Sequence, residues 1–414
     1  DGIRDDISCL VGSEMCIRDR YHPGRDAAGA DRMSLPARVL VTLLLTTLLL
    51  ITLGVSGCGP GDVTDESPDF VILAQSMEGY AQARAGQKLR FPQDHGAHED
   101  FRIEWWYLTA NLEDPEGRPH GVQWTLFRVA LEPPGVAPAP NAWSSHQMYM
   151  AHMAITTPER HLSFQRYARG GDHGGEARAG VRANPFSAWL DDWMLNSTGS
   201  DWLPLEVRAR QGSKAFHLQL ESDLGIVLQG DNGFSRKHVN GGGSYYYSHP
   251  FLKASGTLEV DSETIPVTGS AWLDREWSSQ FLQEDQSGWD WFSLHLDSGE
   301  KLMLFQLRQH AGSPGGTPFR HGVLIAPDGS RTELEPDRIG LEVLEREEVA
   351  GRRVPVGWRV ELPQIQRELE VNALLAEQWM DVDFPYWEGA VTVSGNGPPN
   401  SGVGYLEMTG YPIE

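Results

Sequence analysis

Residues 288–308 read GWDWFSLHLDSGEKLMLFQLR, and they decide the class of fold. Trp289–Leu296 and Lys301–Arg308 are short runs rich in aromatic and branched residues. They are joined by Asp297-Ser298-Gly299, a turn whose glycine can take positive φ. The pattern predicts an antiparallel hairpin. Successive side chains of a strand point to opposite faces, so Trp289 and Trp291 share one face and Asp290 and Phe292 the other.

The same pattern recurs outward from this hairpin. Val122–Val129, Met148–Thr157, Phe216–Leu220, Gly225–Leu228 and Gly256–Val260 read as strands, and a second hairpin turns at Pro327-Asp328-Gly329. Later strands are expected at Gly357–Leu362, Leu369–Leu375, Ala390–Ser394 and Val403–Gly410. Helical periodicity is confined to one short pattern at Asp69–Ala85. Arg169–Arg182 and Asn240–Gly243 read as glycine-rich breaks. The chain is therefore all-β, with strands spaced as in sandwiches or closed barrels. A division is expected near 262–268, giving domains at 88–264 and 265–414.

The N-terminus needs separate treatment. Leu10–Asp19, LVGSEMCIRD, resembles a translated sequencing adapter, so residues 1–32 are expected to be a non-native extension. From Met33, a short basic segment precedes the apolar run Val39–Val55, which suits a signal peptide over 33–57. Val55-Ser56-Gly57-Cys58 resembles a bacterial lipobox, making Cys58 the expected lipidation site and residues 58–87 a tether. The expectation is an exported lipoprotein, lipid-anchored in the bacterial cell envelope, with an ABC-type export system as a partner.

Composition narrows the chemistry. Two of the three cysteines fall in the adapter-like segment and the third is Cys58, which leaves no disulfide or thiolate nucleophile. A net charge of −23 disfavours nucleic-acid binding. There is no G-x-S-x-G elbow and no phosphate-binding glycine loop. His95 and His98 have an H-x-x-H spacing, but Pro92 and Gly96 place them in a loop and no third ligand follows, so no metal is expected.

Most of the 14 tryptophans cluster in short signatures, several of them beside acids. In Glu104-Trp105-Trp106-Tyr107 a strand puts Glu104 with Trp106 and Trp105 with Tyr107. A buried Glu104 needs a partner, Arg128 or Arg275, or else serves as a catalytic carboxylate. In Trp272-Leu273-Asp274-Arg275-Glu276-Trp277 the two acids share a face with Trp272. There they can share a proton, which raises one of their pKa values, or form an exposed acidic pair. Trp289, Trp291, Tyr246 and Trp387 are further aromatic groups suited to line an apolar pocket, and with Trp106, Trp272, Arg275 and Trp277 they are the expected ligand contacts.

Taken together, FPQDHGAHEDFRIEWWYLTANL, YYYSHP, VTGSAWLDREWSSQ, the opening hairpin, YWEGAV and GYLEMTGY resemble the AttH-like family, also called lipocalin-like AttH/CrtC or "predicted secreted hydrolase". The resemblance runs from about Phe91 to Tyr411. It implies two consecutive lipocalin-like antiparallel β-barrels, and kinship with carotenoid 1,2-hydratases and with fungal hydratases and cyclases. Such relatives add water or a proton to an alkene without a cofactor. That chemistry implies Asp274 as acid, Glu104 or Glu276 as its partner, and Trp277 and Trp291 facing a developing cation. The hydratase branch carries Asp-His-x-Trp where this chain has Asp274-Arg275-Glu276-Trp277, which removes a proton shuttle. The expected function is the binding or transfer of an apolar or amphipathic small molecule at a membrane; the alternative is a cofactor-independent hydratase or isomerase.

Overall fold

From Ile103 to Met408 the described chain is built on antiparallel strands. A computed structural model describes residues 78–136, 145–171, 177–280, 282–310, 317–396 and 400–413. The expected signal peptide, Cys58 and most of the tether lie outside the described residues. Residues 78–85, the described end of the helical pattern, form turns and extended chain.

The first sheet opens with β1 (Ile103–Glu113), β2 (Pro119–Ala130), β3 (Gln147–Thr156), β4 (His161–Arg169), β5 (Ala179–Ala183), β6 (Phe186–Leu190) and β7 (Trp193–Ser197). It continues with β8 (Leu205–Gln211), β9 (Lys214–Glu221), β10 (Val227–Leu228), β11 (Phe234–Arg236), β12 (Gly243–Val260) and β13 (Glu263–Ser278). Its spatial order is β4-β3-β2-β1-β13-β12-β9-β8-β7-β6-β5, with β10 and β11 paired to β12.

The second sheet begins with β14 (Gln286–Leu296), β15 (Lys301–Gln309), β16 (Phe319–Ile325), β17 (Arg331–Glu333) and β18 (Gly340–Val349). It ends with β19 (Arg352–Leu362), β20 (Arg367–Ala373), β21 (Trp379–Met380), β22 (Tyr386–Gly395) and β23 (Gly402–Met408). The order is β17-β16-β15-β14-β23-β22-β20-β19-β18, with β21 on β22. Both sheets curl in the lipocalin-like manner, one nearly to a barrel and the other to a half-barrel. The edge strand β18 exposes Glu342, Glu345, Glu347 and Glu348, charges that discourage pairing with another edge.

The opening hairpin forms as β14 and β15, with Trp291 opposite Phe305. The longest hairpin is β12–β13. Val260 pairs with Glu263 across Asp261 and Ser262, which have φ of 51° and 75°, the left-handed geometry of a two-residue hairpin turn. The expected division between 264 and 265 therefore falls inside β13, and the chain changes sheet only after Ser278. A polar, turn-forming stretch reads alike as a linker or as a hairpin tip. Gly256 and Gly269 lie where a Cβ would collide with the carbonyl oxygens of His217 and Asn111 on neighbouring strands, an approach that only glycine allows.

Three large apolar cores and two small clusters, one around Met380 and Tyr386 and one around Tyr247 and Trp277, form among the described residues. The first sheet encloses Trp106, Leu108, Trp124 and Leu218, and the second covers Phe292, Leu294, Trp358 and Trp387. A third core lies between the sheets and includes Tyr107, Tyr246, Trp272, Trp291, Phe305 and Tyr405. Strand β1 is buried along nearly its whole length because its even-numbered residues fill the first core and its odd-numbered ones meet the second sheet. Asn111 donates across this junction to the Gly404 carbonyl at 2.8 Å.

Candidate functional site

The third core is incompletely filled. Between the sheets lies a cavity of about 270 Å³, walled by apolar side chains that include Trp105, Phe127, Met150, Trp289, Trp291 and Phe305. Tyr107, Lys237, Tyr246, Asp274, Glu276 and Glu407 add polar groups to this lining. A few polar groups converging in an apolar concavity are the usual character of a small-molecule site.

Asp274 is the most constrained of these groups. Its Oδ1 accepts from Ser248 Oγ at 2.5 Å and Trp272 Nε1 at 2.7 Å, and its Oδ2 accepts from the Tyr246 hydroxyl at 2.6 Å. Trp291 Nε1 donates in turn to the Tyr246 oxygen at 3.2 Å. Burial pushes the Asp274 carboxyl up to about 7, against the three donors, which favour the anion; the nearby Glu276 charge adds to the rise. A carboxyl poised near neutrality can both give and take a proton.

Glu276 is held differently. It accepts from Ser244 and is ion-paired with Lys237 Nζ at 2.7 Å. The two acids of β13 do share a face, as the alternation predicts, and Lys237 stands against one of them. The opposite wall carries a second acid group that the sequence reading did not assign. Glu407 on β23 pairs in register with Glu388 on β22 and with Trp291 on β14. Tyr107 donates its hydroxyl to Glu388 Oε1 at 2.5 Å, and Trp289 Nε1 donates to Glu407. Burial raises Glu388 well above the ordinary carboxyl range, and Glu407 pushes it further. Glu407 is raised to about 7, again chiefly by burial. Both acids stand in motifs quoted above, but only the register of β14, β23 and β22 brings them together.

The remaining expected residues divide by strand face. Tyr246, Trp289 and Trp291 line the cavity, and Trp272 stands behind it as a donor to Asp274. Glu104, Trp106, Arg275 and Trp277 occupy the other face of β1 and β13. There Glu104 is fully buried and ion-paired with Arg128 and Arg275, and the His98 amide donates to it at 2.9 Å. Burial alone would raise it, but the Arg275 and Arg128 guanidiniums hold it far below the usual carboxylate range. Arg275 stacks over Trp106 at 3.9 Å and over Trp277 at 4.9 Å. The structure therefore does not bring Glu104 to Asp274, nor Trp277 to the cavity. The departure at position 275 also concerns this clamp and not the cavity wall.

Trp387 is buried in the second sheet, donating to the Ala376 carbonyl at 2.8 Å. His95 stacks on Trp202 at 3.7 Å with Nδ1 bonded to the Tyr247 hydroxyl, and both ring nitrogens of His98 face carboxylates. Cys58 lies outside the described residues.

The AttH-like family matches residues 82–411. A crystal structure of an AttH-type protein from Nitrosomonas europaea is 36% identical, with a TM-score of 0.67, covering 80% of this chain and 100% of its own. Kievitone hydratase from Nectria haematococca shares the fold at 15% identity and a TM-score of 0.56, covering 80% of this chain and 98% of its own. CghA in complex with Sch210972 shares it at 12% and 0.51, covering 82% of this chain and 98% of its own. No curated protein sequence matches. The family match spans most of the chain and a solved relative is similar along its whole length: this chain belongs to the AttH-like family.

Proposed function

We propose that the protein is a cofactor-independent acid–base enzyme that adds water to a carbon–carbon double bond of an uncharged apolar molecule. The observation that carries this reading is Asp274, a buried carboxyl raised to about 7 and facing an apolar cavity. Asp274 gives its proton to one alkene carbon. A water oxygen bonds the other carbon, and the water's surplus proton passes to a base in the same cavity. Positive charge developing on the substrate faces the indoles of Trp289 and Trp291, whose π faces favour it. The name of kievitone hydratase describes such a water addition on the same fold.

A carrier of apolar molecules would use the same cavity. That reading leaves the buried, nearly neutral carboxyls without a task, and such groups are costly unless used or paired. The test is to incubate the full chain with uncharged alkenes of increasing length in ¹⁸O-labelled water and to detect hydration by mass spectrometry. Asp274→Asn is expected to slow hydration by about 10²–10⁴-fold. Equal turnover by wild type and variant overturns the assignment, and a wild type that retains alkenes without hydrating any supports the carrier.

A further inference from the structure

Water addition needs two proton transfers, one to carbon and one away from the attacking water. A single carboxyl can perform both in turn, or two can divide them. We propose that Glu407, backed by Glu388, is the second proton-handling centre of this cavity and takes the proton of the attacking water. The inference rests on the hydration reading above and deepens it.

The placement of the two centres supports this division. Across the first sheet, Ser248, Asp274 and Tyr107 stand in one register row. Across the second, Trp291, Glu407 and Glu388 stand in another. The rows are linked at both ends. Trp291 donates to Tyr246, which donates to Asp274, and Tyr107 donates to Glu388. Tyr107 and Trp291 meet edge to face at 5.3 Å. A molecule in the cavity therefore lies between two carboxyl centres on opposing walls.

The Glu388–Glu407 pair is also built to hold one proton. Glu388 is entirely buried, and its Oε2 receives no N–H or O–H donor. The charged groups acting on the pair are acids: each other and Glu276. Tyr107, Tyr386 and Tyr405 are also close, all buried and raised well above their ordinary range by that burial, while Lys237, Asp274, Tyr246 and Asp383 share the cavity lining with Glu407. Two adjacent carboxylates buried in such a wall disfavour double ionisation. Burial raises Glu388 further than Glu407, which assigns the pair's proton to Glu388, and Trp289 donates to Glu407. Glu407, raised to about 7, exchanges a proton near neutrality, and it is the member that lines the cavity. Glu388 does not line the cavity and acts as a positioning residue.

Proton balance is complete. Asp274 loses a proton to carbon, water bonds the cation, and Glu407 gains the proton that the water releases. Exchange with solvent then returns both groups to their starting states.

Two measurements test the proposal in the full chain. In Asp274→Asn protein, infrared spectra at pH 7 should show a protonated carboxyl band that Glu388→Gln abolishes; its absence, or its survival in Glu388→Gln, overturns the shared proton. On any alkene that wild type hydrates, Glu407→Gln should slow water addition by about 10²–10⁴-fold. Glu388→Gln, which keeps an N–H donor to Glu407, should stay within about tenfold of wild type, whereas Glu388→Met should fall well below it. Wild-type rates in Glu407→Gln with an inactive Asp274→Asn overturn this inference and leave the hydration reading standing. Wild-type rates in both overturn the two together.

Discussion

Glu104 and Asp274 are both buried carboxylates, on adjacent strands and separated by the thickness of one sheet, yet the chain treats them in opposite ways. On the inner face, Glu104 meets Arg128 and Arg275 and is held as an anion far below its ordinary range. On the outer face, Asp274 meets neutral donors only, and burial raises it to about 7. The cations decide the difference. A carboxylate fixed as an anion by two guanidiniums is a clamp joining strands, while one left with neutral donors in an apolar wall can exchange its proton near neutrality. Glu388 and Glu407 repeat the second arrangement on the facing sheet.

The largest way to break the comparison is to remove the anion from the clamp. Glu104→Gln leaves two buried guanidiniums uncompensated and is expected to destabilise the fold by about 3–5 kcal/mol, read by chemical denaturation at pH 7. A loss below about 1 kcal/mol would remove the clamp reading.

Asp274→Asn should do the reverse. The carboxyl titrates near 3.8 when unfolded and near 7 when folded. Between those values the native chain holds a proton that the unfolded chain has released, so stability drains away as pH rises through this window. The substitution is expected to flatten that slope and, at pH 8, to stabilise the protein by on the order of 2–4 kcal/mol. Glu104 has the opposite sign: its stabilisation is present above the unfolded carboxyl value near 4.5 and is lost as acid carries the pH down toward its depressed folded value. Parallel pH–stability curves for Asp274→Asn and wild type would show that Asp274 does not titrate in this window.

The comparison also shows what the sequence carries and what it does not. Strand alternation correctly divides Glu104, Trp106, Arg275 and Trp277 from Trp105, Tyr107, Asp274 and Glu276, because period-two geometry is local. Which of the two faces opens onto a cavity is not local. It follows from the second sheet closing over the outer face of β1 and β13, and so Trp106 and Trp277 read like ligand contacts when they are core. Glu388 and Glu407 escape for the same reason: they are 19 positions apart and meet only through the register of β22 with β23. The hairpin tip at Asp261-Ser262 lies beside the expected division near 262–268, and only the pairing of β12 with β13 shows that the chain turns back there within one sheet.

A finer probe of the outer face is Tyr246→Phe. It removes a donor that favours the Asp274 anion, so the carboxyl should titrate higher still. Hydration by protonated Asp274 falls as pH passes its titration point. The variant is expected to move that alkaline fall upward by about one pH unit, corresponding to roughly 1.4 kcal/mol, as read from the pH profile of kcat/KM. A downward move would mean that Tyr246 acts on the substrate and not through Asp274.

The smallest effect expected is a near-null one, and it tests the separation of the faces most directly. Trp277 stacks on His98 at 4.0 Å on the clamp side, while Trp291 lines the cavity and donates to Tyr246. An uncharged fluorescent probe such as N-phenyl-1-naphthylamine should enter the cavity, since it carries no charge for the cavity's acids to act on and most of the wall is apolar. Trp291→Phe trims that wall and should weaken binding severalfold. Trp277→Phe should lower stability modestly yet leave probe affinity within about 0.5 kcal/mol of wild type, because one strand thickness separates it from the cavity. Equal losses from the two variants would mean that the faces are coupled through β13, and that the clamp sets the shape of the cavity as well as the stability of the sheet.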